Sequence, residues 1–262
     1  MRVYLCEDSI EGIFSAIYLA WSERNGHQNN YIKTKKKESG YHLELFTEYV
    51  EVENSEEHTK KVALSIQKKI SMEAYEWICR CVCSEKEEKG DCIYRFLILG
   101  FEYGGTVVKY VHHPYVMPIF QMNREIGREI EHYYGFLRFA QIENDILLAK
   151  MAPKNNILIL LAPHFADRLP NENWVIYDEK RKTAVFHEKQ KAFFVVEDTE
   201  DIFEQLEHSI KSSREEEVEN LWKQFVSAIS IKERKNVKLQ QSMLPKKFRN
   251  YMVEFRENGV KS

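Results

Sequence analysis

His164, Asp167 and Arg168 place an imidazole, a carboxylate and a guanidinium within one helical turn, at the end of an apolar run over residues 157–165. At i,i+3 spacing His164 and Asp167 share a helix face, as an acid–base pair or half of a metal site requires. The same residues also suit a helix end, where His164 and Arg168 favour the C-terminal dipole and Asp167 pairs with Arg168 or a turn amide. Asp178 follows Trp174 at the end of a short apolar run, a position where aspartate commonly caps a turn. Together His164, Asp167 and Asp178 are the candidate catalytic set, and their chemistry would be hydrolytic or nucleolytic. Arg138, between Phe136 and Phe139, either lays its stem on apolar surface or binds an anion beside the His164 segment.

The second feature is a split of charge near the C-terminus. Residues 197–219 hold ten acids against Lys211 and Arg214, and residues 222–249 hold eight bases against Glu233 alone. Lys232, Arg234, Lys235, Lys238, Lys246, Lys247 and Arg249, interleaved with Asn236, Gln240, Gln241 and Phe248, suit a phosphate backbone with amides to hydrogen-bond and a ring to stack. With Arg138, Arg168 and Trp174 they make up the candidate nucleic-acid contacts. The two charges also nearly cancel, so an intramolecular pairing of the acidic and basic segments explains them equally well.

Other clusters carry less chemistry. On a helix Cys79 and Cys83 share a face and Cys81 points elsewhere, so the trio reads as small buried hydrophobes rather than a metal centre. No second cysteine pair follows at zinc-site spacing, and the trio does not match the cluster motif of radical-SAM enzymes. His112-His113-Pro114 reads as a turn. The chain has no phosphate-binding glycine loop, dinucleotide fingerprint, nucleophile elbow, His-Glu-x-x-His helix or zinc-deaminase pattern, so neither metal nor cofactor is expected.

The elements that must position these residues are legible from periodicity. Residues 2–6 read as a strand, and Asp8 with Glu11 as a capping box opening a helix through Ile10, Ile13, Phe14, Ile17, Tyr18 and Trp21. Residues 27–40 are polar and lysine-rich and read as a loop. Strand character at 43–50 precedes helices from Glu56 and after Ser71, a helix over 92–101 broken at Gly104-Gly105, and a long helix from Val116 to Tyr133 with Gly135 as its C′ residue. Two hairpins are expected, at 136–150 around Asn144-Asp145 and at 174–187, with a further strand at 193–196. A capping box at Ser213 and Glu216 opens a helix that buries Val218, Leu221, Trp222 and Phe225.

The expected fold is α+β: a helical N-terminal part opening with a strand (residues 1–116), then residues 117–262 with a central antiparallel sheet built from hairpins and a basic helical C-terminus, packed as one globular unit. The chain is 262 residues long, 44% hydrophobic and 30% charged, with five cysteines and no apolar run near membrane-spanning length. Acidic residues come too early for a secretory leader, so a cytoplasmic protein with reduced thiols and no membrane contact is expected.

Three blocks carry a resemblance: GFLRF at 135–139; LAPHFADR at 161–168 with Asn173, Trp174 and Asp178; and Leu221-Trp222 through Ile231, Glu233 and Arg234 to LPKK at 244–247. In them the chain resembles a bacterial domain-of-unknown-function family described as DNA-metabolism or DNA-repair proteins. The resemblance implies a gene beside a DNA-repair radical-SAM protein, and in some bacteria a similar domain is fused to a uracil-DNA glycosylase domain. It brings no catalytic residues with it. The resulting expectation is an accessory protein that binds DNA or another nucleic acid and works with a radical-SAM partner, without a cofactor of its own. A hydrolase or nuclease using His164 and Asp167, and an interaction scaffold that does not bind nucleic acid, are the alternatives.

Overall fold

A strand with no polar face needs cover on both sides. In β1 (Arg2–Cys6) Val3, Tyr4, Leu5 and Cys6 are all buried, and the strand lies at the centre of a three-stranded parallel sheet. The structure, a computed structural model, describes residues 1–23, 26–35, 46–142, 145–199, 219–222, 224, 244–252 and 255. The chain divides into two compact units, Met1–Arg128 and Glu129–Ser262. The division falls inside a long helix, C-terminal to the 116/117 boundary read from the sequence.

In the first unit α1 (Ile10–Ser22) follows β1 and leads to β2 (Asn30–Thr34), and β3 (Glu48–Glu51) joins on the other edge in the order β2-β1-β3. The strand β2 lies where a loop was expected. Its alternation is real but chemically disguised, because the inward residues are Asn30, Ile32 and Thr34. Asn30 donates its amide Nδ2 to the Ala20 carbonyl at 2.9 Å. The first N-cap is Ser9 rather than Asp8: its hydroxyl accepts from Gly12 N at 3.0 Å. Asp8 instead pairs with Lys89, a nearly buried lysine that also donates to the carbonyls of Val82 and Ser84. Helices α2 (Glu56–Lys69), α3 (Met72–Val82) and α4 (Lys89–Tyr103) follow where helices from Glu56, after Ser71 and over 92–101 were expected, with Ser55 and Ser71 as the N-caps of the first two. Cys81 is fully buried and Cys79 and Cys83 half-buried on α3, all as free thiols, and burial pushes the Cys81 thiol upward.

Helix α5 (Met117–Phe136) runs across the division between the units. It extends one residue past Gly135, so that glycine lies in the last helical turn and is not the left-handed stop expected from the sequence. The second unit holds β4 (Phe139–Ile142), β5 (Ile146–Met151), α6 (Leu158–Arg168), β6 (Asn173–Asp178), β7 (Thr183–His187), β8 (Phe194–Val196) and a single turn, α7 (Lys246–Arg249). Both hairpins form, with Asp145 and Lys182 in the left-handed region at the two turns. The sheet is nevertheless mixed: β5 and β6 pair in parallel, with α6 as the crossover between them. The order is β4-β5-β6-β7-β8, so the central strand β6 is buried from Trp174 to Asp178. The fold is α+β, with helices at both ends of the chain and strands between. Among the described residues no helix is long and apolar enough to cross a membrane. Of the helix expected from Ser213, the described residues 219–222 and 224 are helical, but Leu221 and Trp222, expected to be buried, are exposed; the rest lies outside the described residues.

Two glycines separate packing from propensity. A Cβ on Gly12 would lie 2.4 Å from the Glu7 carbonyl oxygen, whereas one on Gly135 would meet nothing within 4 Å. In urea denaturation, Gly12→Ala is expected to cost about 1–3 kcal/mol through overpacking. Gly135→Ala is expected to add up to roughly 0.5 kcal/mol, because a glycine held in the last helical turn gives up more backbone entropy than alanine.

Candidate functional site

The apolar face of α6 decides where its polar residues stand. Leu158, Leu161, Ala162 and Phe165 recur at helical spacing and are buried, so His164, Asp167 and Arg168 fall on the flanks. Asp167 and Arg168 are exposed. His164 is half-buried and lies flat on the Tyr134 ring, with centroids 3.9 Å apart and planes 21° apart. Its Nε2 is buried and has no hydrogen-bond partner among the described residues. His164 and Asp167 thus sit at the expected spacing without a hydrogen bond between them.

Asp178 belongs to different surroundings. It is fully buried at the end of β6, where its Oδ1 accepts from the backbone N–H of Lys180 at 3.0 Å and of Arg181 at 3.3 Å. Its Oδ2 takes the Arg181 guanidinium at 2.9 Å. Burial pushes its carboxyl pKa upward, and the Arg181 pair works against that shift. This is the turn-capping role. Arg181 also donates to the carbonyls of Pro153 and Lys154, so the β6–β7 turn is tied to the loop after β5.

Two expected contact residues are used internally. Trp174 is fully buried, stacked on His187 with centroids 4.8 Å and planes 7° apart, so its ring is core and not a platform for a base. Arg138 precedes β4 rather than lying in it, and its guanidinium donates to the Gly135 carbonyl at 2.8 Å and the Leu137 carbonyl at 3.3 Å. It satisfies carbonyls at the end of α5, which a helix terminus otherwise leaves without partners.

The polar centre of this unit is Glu129, which is buried and not, as its charge suggested, one of the residues that with Arg124, Glu125, Arg128, Glu131 and His132 cover the outer face of the helix. Its carboxylate is buried on α5 and receives four donors: Lys154 N at 2.8 Å, Asn155 N at 3.0 Å, Asn155 Nδ2 at 2.8 Å and Lys247 Nζ at 2.8 Å. Burial alone would raise its pKa, but Lys247 and the two backbone amides outweigh that and hold it below the usual range. A signal for it exists in the sequence. Glu129 stands three residues after Ile126 and four before Tyr133, on the buried stripe of an amphipathic helix, where a carboxylate requires partners.

Through Lys247 this carboxylate holds the C-terminal segment. Phe248, expected to stack on a base, is instead buried against Tyr133 at 4.9 Å, Phe136 at 5.4 Å and His132 at 5.6 Å. Tyr251 donates its hydroxyl to Glu179 and Met252 is buried beyond it. Lys247 is therefore half of an internal ion pair as well as a surface cation. Arg249 lies over the Phe255 ring at 4.8 Å and donates to the Leu244 carbonyl, while Lys246 is exposed. Lys232, Arg234, Lys235 and Lys238 lie outside the described residues. Of the remaining candidate contacts, Arg168 and Lys246 face solvent. Among the described residues no group of three His, Cys, Asp or Glu side chains is arranged to hold a metal.

Residues 87–254, well over half the chain, match the family model described as domain of unknown function (DUF4130). No curated protein matches the chain.

The Glu129 clamp has a stability and a pH signature. Glu129→Ala strands two backbone amides, the Asn155 amide and an ammonium, and is expected to cost about 3 kcal/mol in urea denaturation. Because the folded-state pKa of Glu129 lies below its unfolded value, its contribution is complete above an unfolded carboxylate pKa of about 4.3 and lost as pH falls through the folded value. Acid titration from pH 5 downward should therefore destabilise the wild type more steeply than Glu129→Ala.

Proposed function

We propose that this chain, which belongs to the DUF4130 family, is a nucleic-acid-binding accessory protein of DNA metabolism. The observation that carries this reading is the basic run of residues 222–249, eight bases to one acid, whose C-terminal end is fastened to a folded unit by Phe248 and the Lys247–Glu129 pair. A tethered run of lysines and arginines tracks a phosphate backbone, and its affinity comes from counterion release. Arg168 and Lys246 contribute from the described surface, and Lys232, Arg234, Lys235 and Lys238 from the basic run itself. The sequence resemblance supports a role in DNA repair beside a radical-SAM partner that carries the redox chemistry.

A second reading, hydrolysis or cleavage of DNA, draws on one observation: the buried His164 Nε2 without a partner, on a ring fixed by Tyr134. Asp178 does not join it, since that carboxylate is committed to Arg181 and two turn amides. Cleavage of an oligonucleotide that disappears in His164→Ala would establish this reading, and equal cleavage by wild type and variant would remove it.

Fluorescence anisotropy with labelled single-stranded and duplex oligonucleotides tests the binding proposal. Affinity should fall steeply with salt, and Lys246→Ala and Arg168→Ala should each reduce the salt slope by about one unit without sequence preference. An absence of salt-sensitive binding at low ionic strength would overturn the proposal and favour the interaction scaffold, in which the acidic and basic segments pair.

A further inference from the structure

The first unit contains a slot whose two walls differ in chemistry. On α1, Tyr18 and Trp21 stand one turn apart, and Phe101 of α4 meets Trp21 edge-on at 5.3 Å. Opposite them on α2, Lys61, Ser65 and Lys69 are spaced by four and share one helix face. Buried Ile17 and Val62 complete the lining of a cavity of about 400 Å³.

Both walls pack on the core and still keep uncovered surface. Trp21 touches the His27, Tyr94 and Phe101 rings, yet it and Phe101 are only partly buried. Lys61 lies over the Tyr18 ring at 5.5 Å and pairs with Glu57 one turn back, but both partners of that pair are largely exposed. Such exposed i,i+4 pairs are worth little, so the ammonium is easily redirected. Lys69 has no carboxylate partner among the described residues. Tyr18 is already covered by His58, stacked at 3.9 Å, which leaves Trp21 and Phe101 as the aromatic surface.

An aromatic surface facing two ammonium groups and a hydroxyl is complementary to a flat ring that carries a dianionic group. We propose that this slot binds a nucleotide, its base against Trp21 and Phe101 and its phosphate between Lys61 and Lys69, with Ser65 donating to a phosphate oxygen. Stacking platforms beside cations are how single strands are held without sequence preference, and the volume accommodates one nucleotide. The ligand is either a free mononucleotide or one nucleotide of a single strand. The lining residues all belong to the first unit, and none of them is part of the C-terminal basic run.

The test uses the full chain with two probes, thymidine monophosphate followed by saturation-transfer NMR and a fluorescent oligodeoxythymidylate followed by anisotropy. Lys61→Glu/Lys69→Glu changes only exposed side chains, and Ser65→Trp fills the slot without changing its charge. Both should weaken the responding probe by about tenfold or more, with an unchanged thermal transition. A response of the mononucleotide identifies a free-nucleotide site, and a response of the oligonucleotide alone identifies a strand site. If neither probe loses affinity in these variants, the inference is overturned, even where Lys246→Ala weakens the oligonucleotide and so upholds the reading of the C-terminal run.

Discussion

A carboxylate on the buried stripe of a helix is tolerated only where donors surround it, and in the second unit that requirement organises everything near Glu129. Its four donors come from the loop after β5 and from the C-terminal turn, residues far apart in sequence. The same loop offers its carbonyls to Arg181, whose guanidinium also neutralises Asp178. Two buried acids are thereby linked through one loop, and α5, the β6–β7 turn and α7 are held in one network. Acids arranged in this way are positioned by their donors and position the backbone in turn; they are poorly placed to move protons. Buried charge networks of this kind fix geometry more than they add net stability.

This network changes what the basic C-terminal run can be. A basic run with its far end held on a folded unit differs from a free tail in that one end has a fixed place. Lys247 and Phe248 are the fastening, and Lys246 next to them remains available to solvent. The aromatic residues of the 135–178 stretch, by contrast, form a packed chain of rings with His164 and Trp174 inside it. That stretch is a scaffold in which, among the described residues, His164 Nε2 and Trp174 Nε1 are buried without a hydrogen-bond partner.

Much of the architecture was legible because period dominates composition in its longer elements. The stripe of α1, the helices that start at Glu56 and after Ser71 and both hairpin turns follow from residue type and spacing. β2 was not legible, since its inward Asn30 and Thr34 look like loop residues until Asn30 is seen to bond Ala20. The parallel pairing of β5 with β6 was hidden for another reason: α6 was visible as a helix, but pairing direction depends on where the chain returns, which no local pattern records. The site was harder still. Trp174 and Phe248 carry the same rings whether they stack on a base or on His187 and Tyr133, and Lys247 looks like a phosphate contact until its partner Glu129 is known. The slot between α1 and α2 escaped notice because its residues belong to two helices whose apolar faces already explained most of them.

The central claim is that Glu129 holds the C-terminal segment onto its unit. Hydrogen–deuterium exchange compared between wild type and Glu129→Gln measures this directly. The account predicts that a peptide spanning residues 244–252 is protected in the wild type and exchanges rapidly in the variant, while β5 and β6 keep their protection. Equal exchange of that peptide in both proteins would contradict it.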